Sequence, residues 1–196
     1  MGSIRLWNEW RTISASADNA AISSFWNQNQ ERLTAIAQDW LSRMSERIPG
    51  GDSNSAQSAF EAFCLASPSD GNESLRGADE LWRLIAAIVM SRPRYAGTFE
   101  LRSDESGQHS SGDVSSGRHG SQDAVPSNLA TLMTTELRRL MEHLADTDLE
   151  VVVLAKLFVA TDEALGAEMA CTRRTIQRML KLIRSLWQDD LRSNRG

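Results

Sequence analysis

The chain has 196 residues, 41% of them apolar, and a formal net charge of −5. That length holds one domain or two small ones, and the acidic balance makes any basic segment a local feature of the chain. No uninterrupted apolar run approaches the ~18 residues that span a bilayer, and Trp7, Glu9, Trp10 and Arg11 stand where a signal peptide would have its apolar core, so a soluble cytoplasmic protein with no membrane partner is expected.

The apolar residues are mostly Leu, Ile, Ala, Met and Trp at helical spacing, which predicts a nearly all-α chain. Ile4 to Ile13 reads as a short first helix. Asp18 stands as the N-cap of a long one, in which Ile22, Phe25, Trp26, Leu33, Ile36, Ala37, Trp40, Leu41 and Met44 keep helical period until Pro49-Gly50-Gly51 stops it. Its tryptophans fall on the apolar stripe and are read as packing residues. Asp52-Ser53-Asn54 then caps a helix carrying Ala59, Phe60, Phe63 and Cys64. After Ser67-Pro68-Ser69-Asp70-Gly71 comes one of the most apolar helices in the chain, Ala78 to Ser91, ended by Pro93. These helices would make a first bundle of about 90 residues, near the lower size for a useful core.

From Ser103 to Ser121, Ser and Gly take eleven of nineteen positions, too polar a composition to offset ordering entropy by burial. It is read as a flexible tether that leaves the halves free to move independently. The second half begins with a helix from Ser127 on Leu129, Leu132, Met133, Leu137, Leu140, Met141 and Leu144. A break at Asp146-Thr147-Asp148 and a nearly all-apolar helix from Leu149 to Val159 follow. The resulting division is a first helical domain at 1–95, a Ser/Gly-rich linker at 96–126, and a C-terminal helix-turn-helix domain at 127–196.

Cys64 and Cys171 are far apart with no CxxC spacing, so buried free thiols are expected in place of zinc ligands or a disulfide. His109 and His119 lie in the Ser/Gly stretch and His143 stands alone on a helix. No metal, no cofactor and no catalytic residue is predicted, since nucleophile–base pairs and phosphate-binding glycine loops are also absent from the sequence.

The chemistry gathers at the end of the chain. Thr161 is a hydroxyl N-cap before a short acidic helix ending near Ala170, with Leu165 and Met169 on one face. Thr172 caps the next helix, in which Ile176, Leu180, Ile183 and Trp187 form one apolar stripe. The other faces carry Arg173, Arg174, Gln177, Arg178, Lys181 and Arg184, and no acid lies between Cys171 and Trp187. A helix that begins with Arg, Thr and Gln and is presented by a shorter one across a tight turn suits a DNA major groove, with the remaining cations on phosphates. The expected DNA-binding residues are Thr172, Arg173, Arg174, Thr175, Gln177, Arg178 and Lys181. The plainer reading is two helices of an ordinary bundle with a solvated basic face.

With both halves read, the order of elements resembles the RNA polymerase sigma factors of the extracytoplasmic-function (ECF) type, and within them the ECF-like group abundant in planctomycete bacteria. In that group the C-terminal segment is similar to G-Y-T-N-E-E-I-A-x-x-L-G-C-S-x-R-T-V-E-R-K-L-x-x-I-R-x-x-W. Here Thr161, Glu163, Leu165, Met169, Cys171, Thr172, Arg174, Thr175, Ile176, Arg178, Leu180, Ile183, Arg184 and Trp187 match it or replace it conservatively. Gln57-Ser58-Ala59-Phe60 with Phe63 resembles the group's D-x-x-D-x-x-Q-S-A-F segment, and Leu81-Trp82-Arg83-Leu84-Ile85 its L-W-R-L-L helix.

The resemblance implies that the first domain docks on the polymerase core and opens the downstream promoter element, while the second reads the upstream element in duplex DNA. It places Asp52, Gln57, Ser58 and Phe60 on the segment that packs the helix and faces the polymerase, and it implies an anti-sigma factor as a further candidate partner. The chain departs from the pattern in one region. Only Asp52 remains of the acidic docking run, and Met90-Ser91-Arg92-Pro93 stands where the group has a basic strand-engaging stretch. Tyr95 and Phe99 with Arg92, Arg94 and Arg102 are the candidate base-stacking set, the plainer reading being that these five are ordinary loop residues. The alternatives to a sigma-like initiation factor are a free-standing helix-turn-helix regulator, and a sigma-like protein that docks on polymerase or an anti-sigma partner without opening DNA.

Overall fold

A computed structural model describes residues 3–16, 18–47, 53–65, 77–92, 128–144, 146–158 and 160–193, with the side chains of 3–7 and 53–57 outside the description. Among these residues there are eight helices and no strand: α1 Ser3–Ser16, α2 Asn19–Ser45, α3 Ser53–Leu65, α4 Ala78–Ser91, α5 Leu129–Glu142, α6 Thr147–Leu157, α7 Asp162–Glu168 and α8 Arg173–Ser193. The fold is all-α, and none of the described helices is long and apolar enough to cross a membrane.

Short polar side chains set several helix starts. Asp18 accepts the N–H groups of Ala20 and Ala21 at 2.9 and 3.3 Å, and Asp146 those of Asp148 and Leu149 at 2.9 and 3.2 Å. Each satisfies amides that the first turn leaves without an intrahelical carbonyl. The cap at Asp146 is why α6 starts at Thr147 and not at Leu149. The first helix also runs past Ile13 to Ser16, whose hydroxyl donates to the Ile13 carbonyl at 2.7 Å.

The tryptophans pack as their positions on the stripe predict. Trp10 lies against Phe25 and Trp26 with ring centroids 4.8 and 5.6 Å apart, and Trp40 meets Phe60 edge-on at 6.4 Å. Tilted and edge-on rings are the arrangements that the aromatic quadrupole favours.

The two halves, expected to be cored separately, share one apolar core that runs from Trp10 to Trp187. α2 lies along α5, α1 packs on α6, and α4 packs on α5, α6 and α8 as well as on α2 and α3. The reason is the apolarity of two helices. From Leu81 to Val89, α4 is buried at every position except Leu84, and Leu149 to Phe158 is buried throughout. A helix that is apolar on every side needs neighbours on every side, and the helices of its own half do not surround it. Each half therefore covers the other.

Polar groups fix the register of this contact. The Trp10 Nε1–H and the Ser14 hydroxyl donate to Glu150 at 2.9 and 2.8 Å, the Thr34 and Thr134 hydroxyls meet at 3.1 Å, and the Arg32 guanidinium lies 4.5 Å from the Phe158 ring centroid. At the end of α4 a charged cluster closes the seam. Glu136, fully buried, pairs with Arg139 at 2.7 Å and Arg92 at 2.9 Å, and Asp190 of α8 pairs with the same two arginines at 2.6 and 3.3 Å. Burial opposes the charge on Arg139, but hydrogen bonds to Glu136 and Asp190 overcome it and raise its pKa. The expected linker at 96–126, and with it the domain boundaries, lies outside the described residues, as do Arg94, Tyr95, Phe99 and Arg102.

Both cysteines are free, but only Cys64 is buried. Burial pushes its thiol far above the ordinary range, with Arg83 opposing and Glu61 adding to the shift. Cys171 is half-buried, contrary to expectation, because it sits in the turn between α7 and α8.

Candidate nucleic-acid interface

The site is built on α6, which is buried on every side from Leu149 onward and carries one lysine near its end. Lys156, 7% exposed, donates to the Ala160 carbonyl at 2.8 Å and pairs with Asp162 Oδ1 at 2.5 Å. This anchors the entry to α7, where the Thr161 hydroxyl accepts the Ala164 N–H at 3.1 Å. Asp162 and Glu163 occupy the first turn of α7, where the helix dipole favours negative charge. Burial works against the charged form of Asp162. The Lys156 ammonium, and then Gln177 and Arg173, overcome it and hold the carboxyl below the usual value.

α7 ends in a Schellman turn. The Cys171 N–H reaches back to the Gly166 carbonyl at 2.8 Å and the Ala170 N–H to that of Ala167 at 3.4 Å, with Ala170 in the left-handed region at φ 49°. The chain folds back so closely that a Cβ on Gly166 would lie 2.8 Å from the Cys171 carbonyl oxygen. Thr172 then starts α8, its hydroxyl accepting the Thr175 N–H at 3.2 Å and lying 3.0 Å from the Thr175 hydroxyl.

The apolar stripe of α8 is buried as predicted, with Ile176, Leu180, Ile183 and Trp187 facing the core. The expected DNA-binding residues fall into three groups. Arg174, Arg178 and Lys181 are exposed, share the face opposite the stripe, and have no partner among the described residues. Arg173 and Gln177, also exposed, are engaged by the acids of α7: Arg173 pairs with Glu163 at 3.0 Å and lies 3.9 Å from Asp162, and the Gln177 amide lies 3.5 Å from Asp162 Oδ2. Thr172 is exposed and Thr175 half-buried, with their hydroxyls on the cap. Arg184 is taken up by Glu80 of α4 at 2.8 Å.

A model of the ECF sigma factor family matches residues 8–193. The chain belongs to the ECF sigma factor family. Transcription initiation and DNA binding are therefore its province, and the family is one of transcription factors and not of enzymes. No curated protein and no solved structure matches the chain. In this sigma factor the C-terminal motif can be followed residue by residue through the turn, and two positions are exchanged. Counting along the motif, Gly166 takes the place of its alanine and Ala170 that of its glycine, the one position here with left-handed backbone.

Of the residues expected to face the polymerase, only Ser58 and Phe60 have described side chains. Asp52 and the Gln57 side chain lie outside the description, and Ser58 is exposed. Phe60 is buried, with its ring against Trp40 and Phe63, and packs α3 onto α2. Sequence reasoning missed Lys156 and Asp162 as parts of the site. The available signal was a lysine inside the apolar run Val151 to Phe158, where only a partnered charge is tolerated.

Proposed function

We propose that this sigma factor binds RNA polymerase core through residues 1–95 and directs it to promoters, with α7 and α8 as a helix-turn-helix whose second helix reads the upstream element in duplex DNA. The observation that carries this reading is the unequal treatment of the α8 cations. Arg173 and Arg184 have acidic partners within the chain, whereas Arg174, Arg178 and Lys181 point outward from one face with none among the described residues. In a chain of net charge −5 such a face calls for an anionic partner. Arg and Gln side chains at the start of the helix supply the bidentate donors and acceptors that distinguish base pairs.

Two measurements test it. The protein should copurify with core polymerase from its own organism. Arg174→Ala and Arg178→Ala should each weaken duplex binding and reduce the slope of log affinity against log salt by about one unit, the loss of one phosphate contact. Failure to copurify would favour a free-standing regulator, and unchanged affinity and slope in both variants would refute the α8 assignment. One observation favours a docking protein that does not open DNA. Arg92, a member of the base-stacking set, is committed to Glu136 and Asp190. Association with polymerase without strand opening would support that reading.

A further inference from the structure

The Lys156–Asp162 pair has no simple role in stability. A buried lysine paired with a carboxylate gains little net free energy over apolar residues of the same shape, because desolvation offsets the attraction. What the pair does achieve is placement. Lys156 is fixed by two bonds, to Ala160 and to Asp162 Oδ1, and this leaves Oδ2 of a mostly buried carboxylate facing α8. There it meets the Gln177 amide nitrogen at 3.5 Å. Arg173 is the more distant neighbour and has a closer partner of its own in Glu163. Gln177 is thus the residue of α8 that Asp162 holds.

We propose that Asp162, anchored by Lys156, is a positioning residue for base reading, fixing the Gln177 amide so that its second N–H and its carbonyl face the groove as a pair suited to adenine. The inference rests on α8 being the helix that reads DNA. Glutamine has two N–H donors and one carbonyl; one donor engages Asp162, and the remaining donor and acceptor match adenine N7 and N6. An unheld glutamine on an exposed helix face samples several rotamers and also accommodates other bases, so the carboxylate contributes selectivity more than affinity.

Full-length wild type, Asp162→Asn, Gln177→Ala, the double variant and Glu163→Gln are each allowed to select from a pool of randomised duplexes. Wild type should enrich adenine at one position, and Gln177→Ala should lose at least about fivefold of that preference. Asp162→Asn should lose preference at the same position and at no other, with no added effect in the Gln177→Ala background. Glu163→Gln should retain it. Lys156→Gln, which leaves the carboxylate present but unanchored, should reproduce the Asp162→Asn profile and serves if that variant melts early. Wild-type preference in Asp162→Asn, or an affinity loss as large in the Gln177→Ala background as in wild type, overturns the inference, the second being the result of a merely structural role. An enriched site indifferent to Gln177→Ala overturns it alone, and a wild-type pool with no enriched sequence overturns it together with the DNA-reading assignment.

Discussion

Arg174 and Arg173 are adjacent in the sequence and differ in what stands opposite them: Glu163 compensates Arg173 at 3.0 Å, and no described residue compensates Arg174. This distinction was not legible beforehand. Periodicity placed six polar and basic residues off the apolar stripe, but which of them meet acids depends on where the first turn of α7 and the start of α4 come to lie. The exchange of Gly166 and Ala170 can be counted off along the motif, but its steric consequence is visible only once the turn is built. Ala170 bears the steric cost of left-handed backbone, so Ala170→Gly should stabilise the protein by roughly 0.5–1 kcal/mol. Gly166→Ala should destabilise it by about 1–3 kcal/mol despite its better helix propensity, because the new Cβ meets a backbone oxygen that cannot turn aside. Urea unfolding of the two variants checks both signs.

At the scale of elements, the helices were largely legible, because their caps and apolar periods are local properties of the sequence. Asp18, Thr161 and Thr172 cap where their chemistry indicates, and the stripe from Ile176 to Trp187 is buried. What local pattern did not convey is how one element holds the next, as Lys156 of α6, Asp162 of α7 and Gln177 of α8 do. That chain of contacts has an acid signature. The folded carboxyl of Asp162 titrates below its ordinary value of 3.8. Its contribution to stability is full above that value and is lost as pH falls through the folded pKa. Asp162→Asn should therefore be less stable than wild type near neutral pH, and the gap should narrow below about pH 4. Denaturant midpoints measured from about pH 7 to 3 would show this, and a constant gap would contradict it.

For the whole molecule, the all-α fold was readable and the relation of its halves was misjudged. The polar Ser/Gly stretch suggested separation, yet the decisive signal lay in α4 and α6, whose apolar residues cover more faces than one bundle can bury. A single core implies that both halves unfold together, in one cooperative transition. Glu136→Ala tests this, since it leaves Arg92 and Arg139 with one carboxylate fewer in a largely buried cluster, at a cost of about 3–5 kcal/mol. Denaturant midpoints reported from tryptophans of the first half and from α8 should shift by the same amount. Separate shifts would mean two independently stable units.

The reading of the molecule as an initiation factor is met most directly by permanganate footprinting of genomic DNA, with core polymerase from the same organism and either wild type or an Arg174→Ala/Arg178→Ala double variant. Reactive thymines at discrete promoters with wild type, and their loss with the double variant, are the predicted result. Reactivity that is the same with wild type, with the double variant and with no added protein would contradict it.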